Sequence, residues 1–246
     1  MSDVMEPFVY KLGVGVPHDV IFVVVHHSVK ILPGRMYFHA FRGRRQLKDV
    51  TLPEGLEEIG DGTFYDCVSL ERINFPSSLI KIGHHAFRDC HSLKDVTLPE
   101  GLKVIGEGLF RNGISLGDDA FTGCGSLKDV TLPEGLEVIG RRAFANCVSL
   151  HINYPSSLIK IGRYTFAGCI LLKEVKLPEG LEEIGAGAFN ACVSLEHINY
   201  PSTLIKIGDY AFYRCYSLKE VTLSEGLEEI ERYAFANCES LECVVG

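Results

Sequence analysis

The amino-acid sequence predicts a solenoid, a repeating coil in which short parallel strands stack along one side. Two observations lead to this prediction: a phenylalanine recurs at a nearly constant interval, and a strand-like segment ending in proline recurs with it. Between Phe41 and Phe235, successive phenylalanines of this set are 23, 23, 23, 11, 23, 22, 23, 23 and 23 residues apart. A period of this length is typical of repeat proteins, in which each unit forms one turn of the coil, here called a rung.

The first half of each unit is expected to form two short strands. In the first regular copy, Leu47, Val50 and Leu52 have the spacing of a strand with one buried face. Pro53 ends that strand because proline cannot extend a hydrogen-bonded ladder. A second extended piece follows at 56–59, before the chain turns.

The second half of each unit predicts a turn with a small buried face. Gly60 permits a sharp turn. Phe64 and Cys67, three residues apart, fit one turn of α-helix or 3₁₀-helix that directs both side chains inward. A single unit cannot bury these apolar groups alone, whereas a stack of about nine units buries them. The sequence therefore predicts a continuous solenoid.

The repeated unit has a recognisable consensus, L-x-x-V-x-L-P-x-x-L-x-x-I-G-x-x-A-F-x-x-C-x-S, which residues 195–217 illustrate. About eight near-complete copies fill residues 47–240. The pattern resembles the BspA-like class of leucine-rich repeats. This resemblance implies a right-handed leucine-rich-repeat solenoid, with a parallel β ladder on the concave side and short strands and 3₁₀ or helical turns on the convex side. Proteins that look like this mostly serve as protein-binding or adhesive modules, and the resemblance brings no catalytic residues.

Departures from the regular unit define the expected domain organisation. Residues 1–19 form an amino-terminal extension or cap, and residues 20–246 form a single solenoid domain. Within it the first rung, 20–46, is irregular, and the last rung, 241–246, is incomplete. A truncated unit at 116–126 keeps G-x-x-A-F-x-x-C but lacks a first strand. We expect this half-unit to bulge on the convex side and to cause a local kink.

The regular rungs alternate between two kinds, and their charged positions alternate in sign. Equivalent residues on neighbouring rungs of a parallel stack lie ~4.8 Å apart, so their charges interact directly. Two outward columns run Lys48, Glu71, Lys94 and Asp49, Arg72, Asp95. Each exposed pair contributes ~0.2 to 1 kcal/mol, and together the pairs oppose a slip of one rung. Across the truncated unit the alternation fails, because Lys94 is expected to meet Lys128 and Asp95 to meet Asp129.

The first rung carries apolar residues where later rungs carry charge. Ile21, Phe22 and Val24 occupy outward positions at the amino-terminal end of the ladder. Either residues 1–19 fold back over this patch as a cap, or the patch is a surface for a partner. The candidate partner-binding residues are therefore Ile21, Phe22, Val24, Lys48, Asp49, Glu71, Arg72, Lys94 and Asp95.

Eight of the nine cysteines share one position of the repeat, which predicts a ladder of small buried thiols. A line of thiols does not converge on a metal, and the spacings are not paired as in a disulfide framework. Cys243 instead falls on an outward position of the incomplete last rung, where a free thiol is open to cross-linking. No catalytic, metal-binding or cofactor-binding residue is assigned, and the chain is predicted not to be an enzyme.

The composition disfavours nucleic acid and membranes as partners. Lys plus Arg number 24 against 32 Asp plus Glu, a net charge of −8, whereas both partners attract basic patches. The amino-terminal segment is acidic, and its apolar run at 20–25 is too short for a signal peptide or a membrane span. Together with the unpaired cysteines, these features favour an intracellular location.

Two functions remain open from the sequence. The first is a non-enzymatic protein-interaction module that docks an unidentified protein partner on its ladder face or its apolar amino-terminal end. The second is a structural or adhesive array segment that self-associates through its terminal edge strands, because repeat arrays need caps at their ends. Ice or polysaccharide binding is disfavoured, because the outward column that begins at Thr51 and Asn74 is too mixed for a flat threonine lattice.

Overall fold

The structure is a computed structural model, and it describes residues 6–34, 40–102, 115–116 and 118–245. Within these residues the chain forms twenty short strands joined by turns. The strands are β1 Phe8–Tyr10, β2 Phe22–Val25, β3 Ile31–Leu32, β4 Asp49–Thr51, β5 Glu58–Ile59, β6 Arg72–Asn74, β7 Lys81–Ile82, β8 Asp95–Thr97, β9 Ser115–Leu116, β10 Asp129–Thr131, β11 Val138–Ile139, β12 His151–Asn153, β13 Lys160–Ile161, β14 Glu174–Val175, β15 Glu183–Ile184, β16 His197–Ile198, β17 Lys206–Ile207, β18 Glu220–Thr222, β19 Glu229–Ile230 and β20 Cys243–Val245.

Each regular rung contributes one strand to each of two parallel ladders. In the first ladder, β4 pairs with β6 so that Val50 lies opposite Ile73. In the second ladder, β5 pairs with β7 so that Ile59 lies opposite Ile82. Equivalent repeat positions are therefore in register, with the apolar residues facing the interior and the charged residues facing out. The parallel solenoid predicted from the sequence is confirmed.

The first ladder is divided into four sheets, in the orders β1-β2-β4-β6, β8-β10-β12, β14-β16 and β18-β20. Each break follows a rung whose first strand leads to an aromatic residue before its proline, namely Phe75, Tyr154 or Tyr200. These rings point inward and meet the phenylalanine of their own rung at centroid distances of 5.6, 6.0 and 5.9 Å. We attribute the breaks to this aromatic ring. It is larger than the leucine found at the same position in other rungs, and the next strand therefore packs less closely against it.

The third side of the coil, here called the turn side, differs from the helical turn that the sequence predicted. The described residues contain no helix there, and each full rung has two residues in the left-handed region, such as Gly62 at φ 61° and Asp66 at φ 61°. Backbone N–H groups alternate in direction: Tyr65 donates to Gly62 of its own rung, whereas Phe64 donates to Ala86 of the next. In a helix, every N–H would donate to a carbonyl of the same rung. Here every second N–H donates to the next rung, so hydrogen bonds also link neighbouring rungs on the turn side.

The interior contains a continuous stack of phenylalanine rings. From Phe41 to Phe235, successive described rings lie 5.0 to 5.8 Å apart and nearly parallel. Beside the stack runs the predicted thiol ladder, in which each cysteine donates to the phenylalanine carbonyl of the preceding rung. Cys67 Sγ lies 3.0 Å from the oxygen of Phe41, and the same contact recurs up to Cys238. Seven of these eight free thiols are buried.

The predicted bulge of the truncated unit at 116–126 is wrong. Phe121 lies within the phenylalanine stack, 5.2 Å from Phe87 and 5.5 Å from Phe144. Strand β9, which ends at Leu116, supplies this rung's second strand by pairing with β11. The half-unit therefore completes the rung that β8 begins. It supplies the second strand and the stacked phenylalanine of that rung. Phe110 and the surplus segment 103–114, where any kink would fall, lie outside the described residues.

The amino-terminal extension lengthens the first ladder. Strand β1 pairs in parallel with β2, with Phe8 opposite Val23 and Tyr10 opposite Val25. The buried ring of Tyr10 lies 5.0 Å from that of Phe41, at the end of the phenylalanine stack. The extension thus lies beside the outward apolar patch, in the plane of the ladder. At the other end, β20 pairs with β18, and the Cys243 side chain lies outside the described part.

Candidate functional site

The candidate partner-binding residues lie together on the outward face of the first ladder, here called the ladder face. They belong to β2, β4, β6 and β8 or directly precede these strands. Phe22, Asp49 and Arg72 form one column in register. Ile21, Lys48 and Glu71 form the adjacent column, linked by backbone hydrogen bonds of 2.8 and 2.9 Å. The ladder therefore fixes the relative positions of the predicted residues, although the sheet itself breaks between β6 and β8.

The charged columns form ion pairs between neighbouring rungs. On the ladder face, Arg72 lies 3.2 Å from Asp49, and Lys94 lies 3.3 Å from Glu71. The second ladder has the same arrangement, with pairs such as Lys81 and Glu58 at 2.8 Å. Because these groups are partly or fully exposed, each pair is worth at most about 1 kcal/mol. The columns are largely neutralised within the molecule.

One seam on the ladder face brings like charges together, as the sequence predicted. Strand β8 pairs with β10 so that Asp95 lies directly opposite Asp129. The backbone N–H of Lys128 donates to the carbonyl of Lys94 at 2.7 Å, so these two lysines occupy adjacent rungs of the same column. Asp129 also lies 3.4 Å from His151 of the following rung. Parallel pairing thus imposes a local repulsion that the alternating rungs elsewhere avoid.

The apolar patch at the amino-terminal end remains accessible. The Phe22 side chain is 38% exposed, and Ile21 and Val24 are half-buried. Val9 of the neighbouring strand β1 is 49% exposed, so the extension adds to the patch. Charged Asp49 and Lys48 border it on the next rung. An exposed aromatic group with a polar rim has the composition of a protein-binding surface.

The described thiols are poorly suited to nucleophilic chemistry. Burial raises the pKa of the Cys67 and Cys169 thiols to about 12. The half-buried Cys238 has its pKa raised to about 11 for the same reason. At neutral pH these groups stay protonated, whereas the thiolate is the reactive form. Among the described residues, no group of three or more His, Cys, Asp or Glu side chains is placed to hold a metal ion.

A row of tyrosines on the turn side was missed by the sequence reasoning. Tyr164, Tyr210 and Tyr233 occupy the same left-handed position of their rungs, at φ 56°, 55° and 58°. Tyr210 and Tyr233 stack at 5.1 Å, and Tyr213 meets Tyr210 edge-on at 5.5 Å. The left-handed conformation costs a non-glycine residue roughly 1 to 2 kcal/mol. The available signal was a tyrosine two residues before the repeated phenylalanine, at a position treated as variable.

Comparison with known proteins identifies the repeat. A family model described as a BspA-type leucine-rich repeat region with six copies matches residues 34–116, 112–199 and 150–245. No curated protein sequence matches the chain.

Solved structures resemble this solenoid. A leucine-rich repeat protein from T. pallidum is 29% identical, with a TM-score of 0.50, and the match covers 85% of this chain and 81% of that one. A leucine-rich repeat protein from Bacteroides ovatus is 26% identical, with a TM-score of 0.45 and coverage of 92% and 72%. A leucine-rich cell surface protein from Faecalibacterium prausnitzii is also 26% identical, with a TM-score of 0.48 and the same coverage.

In the described part of this chain, no helix has the length and apolarity needed to cross a membrane.

Proposed function

Because the chain belongs to the BspA-type leucine-rich-repeat family, we propose that it is a non-enzymatic module that binds a protein partner on its ladder face. The observation that carries this proposal is the position of exposed Phe22 in register with the Asp49 and Arg72 pair. An apolar anchor bordered by fixed charges is the arrangement found at the centre and rim of protein interfaces.

The apolar patch supplies the affinity in this proposal. The Arg72 and Asp49 charges already neutralise each other at 3.2 Å, so they are weak attractors for a distant partner. Once a partner has docked on Phe22, the same charges orient it and reject partners with the wrong charge pattern. Because backbone hydrogen bonds hold β2, β4 and β6 in register, little conformational entropy is lost on binding.

The proposal includes an intracellular location and the absence of catalysis. Eight cysteines are free thiols in the described structure, which is the usual state of thiols in a reducing compartment. The seven buried thiols donate to carbonyl oxygens of the neighbouring rung, as Cys90 does to Phe64 at 3.2 Å. These thiols are accounted for by packing, which supports a structural role for the ladder.

A second candidate function, self-association, rests on the exposure of the last full rung. Ile230 is 46% exposed, whereas the equivalent Ile207 of the preceding rung is fully buried. Tyr233 on the same rung is 60% exposed. A second copy that stacked on this rung would cover both side chains. This candidate predicts a concentration-dependent oligomer, whereas the interaction module predicts a monomer that binds other proteins.

A paired capture experiment tests the proposed function. The chain is immobilised, exposed to cell extract and washed, and the retained proteins are compared with those retained by an Ile21→Ser/Phe22→Ser variant. An Ile80→Ser variant, which changes an exposed isoleucine at the edge of the second ladder, is the matched control.

The proposal predicts at least one protein that the parent chain and the control retain and the double variant loses, with unchanged melting temperature. Retention of the same proteins by all three would contradict it.

A further inference from the structure

Charge is distributed unevenly along the turn side. The last five full rungs place residues 141–147, 163–169, 186–192, 209–215 and 232–238 there, and their charged residues are five arginines and one aspartate. The three preceding rungs place residues 61–67, 84–90 and 118–124 there, with five aspartates, one arginine and two histidines. The carboxyl-terminal part of this side is therefore basic, although the whole chain carries a net charge of −8.

The arginines of this region are available to a ligand. Arg141, Arg142, Arg163, Arg214 and Arg232 are all exposed. The ion pairs given by the described residues involve other arginines, namely Arg45, Arg72 and Arg88. The hydrogen bond from Lys206 is the main reason for the lowered pKa of Glu231, and Arg163 makes a smaller electrostatic contribution to it.

Tyrosines fill the space between these arginines. The Arg142 guanidinium lies 5.6 Å from the centre of the Tyr164 ring, and that of Arg214 lies 5.1 Å from the centre of Tyr213. The Tyr164 ring covers Gly187, where an added Cβ would lie 2.3 Å from the ring. Two rungs further on, Tyr210 stacks on Tyr233. These tyrosines and arginines of the last five full rungs are here called the tyrosine–arginine strip; the rung at 186–192 contributes neither residue type.

The backbone holds this strip in a costly conformation. The position that Tyr164, Tyr210 and Tyr233 occupy has positive φ in every described full rung, whether it holds glycine, histidine, aspartate, arginine or tyrosine. A bulky residue in the left-handed region is an outlier, so the geometry of the repeat imposes a conformational cost on each of these tyrosines. Backbone hydrogen bonds to the next rung, 2.9 Å from Tyr164 and 3.0 Å from Tyr210, keep the tyrosines in place. The strip is thus preorganised on a rigid support.

We propose that the tyrosine–arginine strip binds an acidic, extended polypeptide segment of another protein. Tyrosine and arginine are the residues most enriched where protein interfaces have their strongest contacts, and arginine pairs with carboxylates in two-pronged hydrogen bonds. The strip covers four steps of ~4.8 Å between rungs, about the length of six extended residues. This site lies apart from the ladder face, so the inference goes beyond the proposed function and does not depend on it.

Fluorescence anisotropy with a labelled random copolymer of glutamate and tyrosine tests the proposal. We expect saturable binding to the parent chain at low salt and no binding of a lysine–tyrosine copolymer. The Tyr210→Asn/Tyr233→Asn variant should bind about tenfold more weakly, as should Arg142→Gln. Tyr65→Asn, which removes a tyrosine that lies beneath Arg42 outside the strip, is the matched control and should bind like the parent chain.

Several outcomes would overturn the proposal. Equal binding by the parent chain and the double variant would remove the strip as the site. A lower melting temperature for the double variant would show that the tyrosines serve folding, since asparagine tolerates positive φ better than tyrosine does. Tighter binding of polygalacturonate than of the copolymer would assign the strip to anionic glycans. Self-association lost in the double variant would make a second copy the partner.

Discussion

The Cys90 thiol donates a hydrogen bond to the carbonyl oxygen of Phe64, 3.2 Å away in the preceding rung. A hydrogen bond between neighbouring rungs thus joins the repeated cysteine to the repeated phenylalanine. Because the contact recurs at every described cysteine of the ladder, it explains why both residues repeat with the same period. Neither residue type needs a catalytic role to account for this pattern.

Alkaline pH should unfold the chain through this thiol ladder. Burial raises the thiol pKa from 9.0 to about 12 at Cys67 and Cys169. A raised pKa in the folded state contributes stability that is complete below pH about 9 and is lost as pH rises towards 12. We expect thiolate absorbance at 240 nm to appear together with the loss of the circular dichroism signal. Thiolate formation in a chain that stays folded would contradict the assignment.

Removing the hydroxyl groups of two buried tyrosines should leave the chain as stable or make it more stable. Among the described residues, the buried hydroxyls of Tyr154 and Tyr200 have no hydrogen-bond partner, and Phe75 fills the equivalent position of an earlier rung. An unsatisfied buried polar group costs about 1 to 3 kcal/mol. Tyr154→Phe and Tyr200→Phe should therefore raise the urea midpoint. If either variant lowered the free energy of unfolding by more than about 1 kcal/mol, the hydroxyl removed would have a hydrogen-bond partner in the folded chain.

The like-charged seam predicts opposite effects for two identical substitutions. Asp129→Asn should increase the free energy of unfolding by a few tenths of a kcal/mol, up to about 1, because it relieves repulsion from Asp95. The matched Asp49→Asn should decrease it by a similar amount, because Asp49 lies 3.2 Å from Arg72. Urea unfolding at low and high salt measures both. The same sign for both variants would contradict the register of this seam.

Truncation of Phe121 tests whether its half-unit is part of the solenoid. Phe121 is fully buried between two neighbouring rings, so Phe121→Ala should cost about 3 to 5 kcal/mol. Phe235→Ala is the matched control at the end of the stack, where the ring is half-buried, and it should cost less. If the half-unit bulged out of the solenoid, Phe121→Ala would instead lower the free energy of unfolding less than Phe235→Ala.

The sequence predicted the parallel strand ladder, the inward direction of the repeated phenylalanine and the thiol ladder, because those positions are apolar and strictly periodic. It mistook the turn side for a helical turn because Phe64 and Cys67, three residues apart, suit either structure. It also counted Phe110 among the periodic phenylalanines, and Phe110 lies outside the described residues. The Phe87 ring stacks directly on that of Phe121, 34 residues later, and the periodicity of a single residue does not reveal this packing.

The tyrosine–arginine strip was not predicted for a different reason. Positive φ at Tyr164, Tyr210 and Tyr233 has no sequence signal of the kind that glycine or asparagine gives. The strip also joins residues from four of the last five full rungs, and its charge becomes apparent only when the turn segments are aligned in space. The ladder-face residues were easier to identify, because strand register follows directly from the repeat.

Light scattering coupled to size exclusion, over a range of concentrations, with and without reductant, tests most directly whether the chain is a module for binding other proteins. We expect a monomer of 27.2 kDa under every condition. A mass that rises with concentration would contradict it in favour of self-association through the last full rung. Collapse of that oligomer under reductant would identify a cysteine cross-link as its cause.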